Sequence, residues 1–145
     1  MQTIQRCLQD LTPHADNFFI HFYHTLFRQN PKLIEKFKGV KMRAVVQDAV
    51  KSFAYVRDHL APGGQNERLL CAHLTNFMSR QTRLYRLTPE DFVRMQTAFE
   101  CALEDFYGET WSKEIGKAWS QFFHRMAKLI DTNAITAASS AAQAA

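Results

Sequence analysis

The chain has 145 residues, and 18 Lys and Arg against 14 Asp and Glu give it a formal net charge of +4. With 46% hydrophobic and 22% charged residues, its composition indicates one folded domain and excludes a disordered or fibrous chain. No apolar run is long enough to span a bilayer, and the N-terminus lacks the apolar core of a signal peptide. We therefore expect a cytoplasmic protein.

The cysteines and the basic residues exclude further classes of protein. Cys7, Cys71 and Cys101 show no paired spacing, so we expect reduced, partly buried thiols rather than disulfides or a zinc site. Two basic clusters, at residues 32–43 and 80–86, lack the interleaved aromatics and the second short helix of nucleic-acid-binding domains. No nucleic-acid partner is expected.

The N-terminal half of the chain is predicted to be helical. Thr12-Pro13 is typical of a helix start, and the helix that follows carries an apolar face at helical spacing: Phe19, Phe22, Tyr23 and Leu26. Asn30-Pro31 ends that helix and begins a short one that closes near Phe37. A longer helix is then predicted from Val45, Ala49, Phe53, Val56 and Leu60, and it ends at Pro62-Gly63-Gly64.

The C-terminal half continues the same pattern. A fourth apolar face is formed by Leu70, Leu74, Phe77 and Met78. Thr88-Pro89 followed by two acidic residues predicts the capped start of a helix that ends at Gly108. The last helix begins near Ser112 and presents Ile115, Trp119, Phe122, Phe123, Met126 and Ile130. No segment alternates with the period of a strand, so the predicted class is all-α.

The last fourteen residues differ in composition from the rest of the chain. They consist largely of alanine and serine, which bury too little surface to hold a segment in place. We expect a domain over residues 1–131 and a tail or linker over residues 132–145. Because alanine favours helix, the alternative is an extension of the last helix.

Four stretches carry a resemblance to a known family. They are Phe22-Tyr23 within HFYHTLF, Asn30-Pro31 with Phe37, FMSRQTRLYRLTPEDF and ALEDFYGETWSKEIGKAWSQFF. In spacing and residue type, residues 12–131 resemble bacterial single-domain and sensor-type globins. The resemblance implies a globin-like fold, a three-over-three helical sandwich.

The resemblance fails at the position of the iron ligand. In heme-binding globins the proximal histidine precedes the next helix by a fixed interval, and counting back from Pro89 places that position at Thr82. A threonine hydroxyl is no axial ligand for heme iron. The chain is therefore similar to the heme-less globin domains of stressosome sensor proteins, and no cofactor is expected.

The resemblance also implies which residues surround a pocket. They are Tyr23, Phe37, Lys41, Val45, Phe77, Thr82 and Phe92. Bulky side chains are expected to occupy part of the volume that heme fills in relatives, because an empty cavity of that size is costly. Phe53, Tyr85 and Phe99 are assigned to this role together with Phe77 and Phe92.

These features favour a non-enzymatic sensory or protein-interaction module. No carboxylate pair or Ser-His-Asp set can be argued from the order of residues. In the heme-less relatives the last two helices form a homodimer, here through Trp119, Phe122 and Met126, and they pass a signal to a partner protein or a C-terminal signalling domain. The input would be a fatty-acid-like apolar ligand or a partner protein.

Two alternatives stay open at this point. One is a heme protein that binds oxygen or another diatomic gas through an atypical ligand, His73 or Lys41, in which Tyr23 and Phe37 keep their globin roles. The other is a bilin chromophore attached to Cys71, as in distantly globin-like proteins.

Overall fold

Six α-helices make up most of the chain in this computed structural model, which describes residues 2–60 and 67–144, with side chains through residue 128. They are α1 (Gln2–Leu11), α2 (Ala15–Gln29), α3 (Met42–His59), α4 (Glu67–Tyr85), α5 (Pro89–Tyr107) and α6 (Lys113–Ala144). Short 3-10 segments lie at Thr12–His14, Pro31–Phe37 and Gly108–Thr110. These residues contain no strand, which confirms the all-α class.

Most helix boundaries follow the predicted signals. The Thr88 hydroxyl accepts a hydrogen bond from the Asp91 amide at 3.2 Å, and the Asp91 carboxylate accepts one from the Thr88 amide at 2.9 Å. This reciprocal pair is a capping box, which satisfies two amides at the start of α5. The helix ends before Gly108, whose φ of 55° suits a residue without a side chain. The predicted turn at Pro62-Gly63-Gly64 lies outside the described residues.

The first helix was not predicted, although its signal is present. Four buried residues lie at the spacing of one helical face: Ile4, Cys7, Leu8 and Leu11. The predicted cap at Thr12 is wrong, because its hydroxyl donates to the Leu8 carbonyl of α1 at 2.7 Å and Thr12 itself begins the 3-10 segment Thr12–His14. The following helix, α2, begins three residues later, at Ala15.

The helices pack in pairs around an aromatic core. Helix α2 contacts α3 and α5, α1 contacts α3 and α6, α4 contacts α3 and α6, and α5 contacts α6. At the centre, Phe99 of α5 lies 5.4 Å from Phe18 and 5.0 Å from Trp119, measured between ring centroids, with edge-to-face geometry. The core thus joins α2, α5 and α6.

Three further expectations concern the chain as a whole. The thiols of Cys7, Cys71 and Cys101 are free and buried or half-buried, as expected. The backbone of α6 continues to Ala144, so the alanine- and serine-rich segment is helical. In the part of the chain that is described, no helix combines the length and the apolarity needed to cross a membrane.

Candidate functional site

The candidate site lies where α2, the 3-10 segment Pro31–Phe37, α3 and α4 meet. Tyr23 and Phe37 are both buried there, with ring centroids 6.2 Å apart. The ring of Phe37 stacks on Tyr85 of α4 at 4.8 Å and 28°. Burial, followed by the proximity of Tyr85 and Asp48, raises the pKa of Tyr23 far above its ordinary value, so its phenol stays protonated.

A charged pair joins α3 to α4 next to these rings. One guanidinium nitrogen of Arg80 donates to both carboxylate oxygens of Asp48, at 2.8 and 3.0 Å. The side-chain amide of Gln81 donates to the same carboxylate at 3.3 Å. Gln81 is fully buried, and its carbonyl oxygen has no partner among the described residues. A buried amide and a partly exposed ion pair therefore meet at this level of the two helices.

A second link joins the same helices nearer the start of α4. The Ser52 hydroxyl and His73 Nε2 share a hydrogen bond of 2.9 Å. Tyr55 is stacked between two histidines, with centroid distances of 4.0 Å to His59 and 4.1 Å to His73 and interplanar angles of 12° and 11°. His59 also donates from Nδ1 to the Tyr55 carbonyl oxygen at 2.9 Å.

We call these interacting side chains the α3–α4 clasp: Asp48, Ser52, Tyr55, His59, His73, Arg80 and Gln81. Burial lowers the pKa of His73, and the nearby charges of Arg80 and His59 lower it further, against a smaller opposite effect of Asp48. The His73 imidazole is therefore neutral at pH 7. In that state, one ring nitrogen donates a hydrogen bond and the other can accept one.

A groove of about 640 Å³ opens on the other side of Tyr23, between α2 and α3. We call it the α2–α3 groove. Its lining is Asp16, Ile20, Tyr23, His24, Phe27, Met42, Arg43, Val46 and Gln47. The floor is mainly apolar, whereas the exposed members are mostly polar or charged. Such a surface suits a small molecule with an apolar body and one polar group.

The predicted pocket residues do not all lie in one place. Tyr23, Phe37 and Val45 are buried, and Tyr23 also lines the α2–α3 groove. Phe77 and Phe92 are half-buried, and the ring of Phe77 lies beneath the Arg80 guanidinium.

Lys41 and Thr82, by contrast, are exposed, and neither lines the α2–α3 groove. Lys41 precedes the first residue of α3. One residue before Thr82, Gln81 takes the buried position, because one step along a helix rotates the side chain by about 100°.

The predicted dimer residues belong to the core of the single chain. Trp119, Phe122 and Met126 are only 3%, 7% and 3% exposed. They form the face of α6 that packs within the domain, where Trp119 contacts Phe99. A side chain already buried in its own chain has no surface left for a second subunit. Their assignment to a dimer interface is therefore corrected.

The sequence reasoning missed the clasp, although α3 and α4 carry a readable signal for it. Asp48, Ser52, Tyr55 and His59 follow one another at intervals of four, three and four residues, which places them on one face of α3. His73 and Arg80 are seven residues apart on α4. A polar stripe on each of two successive helices is a sign that the two stripes face each other.

Comparison with known proteins adds no relative. No protein-family model, no curated protein and no solved structure matches the chain. Within the described residues, no three His, Cys, Asp or Glu side chains lie close enough to hold a metal ion. Function is therefore inferred from the residues themselves.

Proposed function

We propose that the chain is a non-enzymatic sensory or protein-interaction module built on a globin-like, three-over-three sandwich. The pairing of the helices supports this arrangement. One layer would hold α1, α3 and α4, with contacts between successive members, and the other α2, α5 and α6, where α5 contacts both neighbours. The layers would meet through α2 with α3, α1 with α6 and α4 with α6.

We further propose that the module works without heme, and the clasp is the observation that carries this. A heme between α3 and α4 would need to separate Asp48 from Arg80 and Ser52 from His73. Separating them would leave partly buried charged and polar groups without partners, which is costly. Tyr85 already occupies the face of Phe37, the residue that the resemblance places against heme. The residues present do not fit heme.

The input that fits the structure best is a small, fatty-acid-like molecule in the α2–α3 groove. Val46 and Gln47 line the groove, and the next residue, Asp48, belongs to the clasp. A ligand against this side of α3 therefore acts on the helix that holds the clasp. The output would go to a partner protein or to a C-terminal signalling domain through α6. Pairing with a second copy stays a prediction, without the residues first assigned to it.

The alternative, a heme protein with an atypical ligand, has one observation in its favour. The imidazole of His73 is neutral at pH 7 and lies on the side of α4 that faces α3. It is also hydrogen-bonded to Ser52 and stacked on Tyr55, so binding iron would require it to leave both contacts. Lys41, the other candidate, is exposed at the start of α3.

The test of the heme-less proposal is an absorption spectrum of the purified protein during titration with hemin, oxidised and reduced. We expect no sharp Soret band that saturates at one equivalent. A saturating band in the wild type that disappears in His73→Ala would establish the alternative. His124→Ala, at an exposed histidine of α6, is the matched control.

The test of the apolar ligand uses sodium dodecanoate and calorimetry. Ile20, 44% exposed, lines the groove, so Ile20→Glu should abolish binding by placing a carboxylate on its apolar wall. Leu69→Glu makes the same kind of change on α4, outside the groove, where Leu69 is 50% exposed, and should leave binding intact. If the wild type does not bind dodecanoate, or if both variants lose binding equally, an apolar ligand is excluded and a partner protein is left as the input.

A further inference from the structure

The two basic clusters of the sequence meet in the fold. Residues 32–43 carry five basic side chains and one acidic, and residues 80–86 carry three basic and none acidic. Together they hold more net positive charge than the whole chain, which has +4. Lys36 joins them, because its ammonium group donates to the Arg86 carbonyl oxygen at 3.0 Å. The contact of Phe37 with Tyr85 supports the same junction.

The backbone holds this junction in a defined shape. Lys36 also donates to the buried carboxylate of Asp91, at the start of α5. Arg86, between α4 and α5, has a φ of 56°, which is rare for a residue with a side chain. Its carbonyl oxygen is the one held by Lys36, and its side chain is exposed. A turn and two helix ends therefore form a fixed corner of the molecule.

Most of the positive charge at this corner has no ion-pair partner in the described part of the chain, although Glu35 adds one exposed acidic side chain. Lys32, Lys38, Arg83 and Arg86 are exposed, and none of them forms an ion pair with another described residue. Lys36 and Arg80, by contrast, are paired with Asp91 and Asp48. The exposed members are therefore available to an anionic partner. We call residues 32–38 and 83–86 the basic corner.

Two large aliphatic side chains stand among these charges. Ile34 is 51% exposed and Leu84 is 55% exposed. Of the two aromatic side chains of the corner, Phe37 is buried, and Tyr85 is half-buried with one ring face stacked on Phe37. Nucleic-acid single strands are bound by basic grooves with exposed aromatic rings, a pattern that is missing from the described residues of this corner. Basic residues with exposed aliphatics are instead the pattern of a surface that meets anionic lipid headgroups.

We propose that the basic corner binds the surface of an anionic membrane, with Lys32, Lys38, Arg83 and Arg86 at the headgroups and Ile34 and Leu84 in the interface. The corner consists of a turn and helix ends, which can approach a flat surface without rearrangement. Binding of this kind needs no membrane-spanning helix. The inference is independent of the ligand and of the heme-less state proposed above.

The test is co-sedimentation of the full chain with phosphatidylcholine vesicles, with and without phosphatidylglycerol. We expect binding only to the anionic vesicles and a decline as salt rises, because surface charges are screened. Lys38→Glu with Arg83→Glu should weaken binding by at least about twentyfold, since each basic residue near such a surface contributes about fivefold. The double variant Ile34→Ser and Leu84→Ser should weaken it several-fold and leave the salt dependence unchanged.

The matched control is Lys113→Glu with Lys117→Glu, which makes the same change of charge at exposed positions of α6. We expect it to retain most of the binding, and circular dichroism verifies that all variants are folded. Equal losses in the control and in the corner variant would show that only net charge matters and would overturn the proposal. So would the absence of vesicle binding at low salt. Binding to polyglutamate but not to vesicles would assign the corner to an acidic protein instead.

Discussion

Replacing Asp91 with asparagine should lower the free energy of unfolding at neutral pH, because the Asp91 carboxylate is buried among hydrogen-bond donors. The Asp91 side chain is 3% exposed and accepts hydrogen bonds from Lys36 at 2.5 Å, from the Thr88 amide at 2.9 Å and from Arg94 at 2.9 Å. Burial raises the pKa of Asp91, but the hydrogen bonds from Lys36 and Thr88 outweigh it and lower the pKa to about 2.

This pKa converts into a free energy. A fall from 3.8 to about 2 corresponds to about 2.5 kcal/mol, because each tenfold change in proton affinity is worth about 1.4 kcal/mol. Asparagine keeps the size of the side chain and an oxygen for the Thr88 amide, so Asp91→Asn removes mainly the charge. Arg94 is half-exposed and contributes little, since exposed ion pairs are weak.

The pH dependence separates the charge from other effects of the substitution. The pKa of Asp91 is lower in the folded state than in the unfolded state, so its contribution is complete above pH 3.8 and disappears as the pH falls towards 2. Urea unfolding of the wild type and Asp91→Asn should therefore differ by about 2.5 kcal/mol at pH 6, and the difference should decrease below pH 4. A difference that is the same at pH 6 and pH 2.5, or none at pH 6, would refute the reasoning.

Three further predictions concern other parts of the chain. Phe122→Glu should give unfolded protein by circular dichroism, because Phe122 is 7% exposed in the core. A variant that stays folded and is monomeric by light scattering would instead place Phe122 in a dimer interface. Because the pKa of His73 is lowered in the fold, the wild type should lose stability as the pH falls below 6.5. In His73→Gln this loss should be smaller. The free energy of unfolding is measured by urea unfolding at several pH values, and an equal dependence on pH in both proteins would contradict the prediction. Thr82→His should not create a Soret band with hemin, because position 82 is exposed; a new saturating band would show that α4 turns this face inward.

The elements of the fold were largely readable from the sequence, because their signals are local. The Thr88 cap, the glycine after α5 and the stop at Asn30 depend on residues within a few positions, and the structure has all three boundaries. The signal of the first helix is equally local, but it was not predicted, because Thr12-Pro13 is typical of a helix start. Only the structure shows that the Thr12 hydroxyl faces backwards to Leu8.

The candidate site was less predictable, because it depends on how two helices face each other. The resemblance placed the position of the iron ligand at Thr82, and a shift of one residue in register exchanges an exposed threonine for the buried Gln81. The apolar face of α6 could likewise be predicted from the sequence, but the surface that covers it could not. An apolar stripe predicts burial, but the stripe reads the same whether its own domain or a second subunit covers it.

The clasp and the basic corner show why charged residues were the hardest to assign. Arg80 and Arg83 belong to one cluster in the sequence, yet Arg80 pairs with Asp48 of α3 while Arg83 is exposed without an ion pair among the described residues. Their different roles follow from the position of α3, which brings a carboxylate to only one of them. A basic cluster therefore predicts an anionic partner only after the charges that the fold itself neutralises have been subtracted. At the basic corner, Lys32, Lys38, Arg83 and Arg86 are the basic residues without an ion pair in the described part of the chain, and the vesicle experiment tests whether they bind an anionic surface.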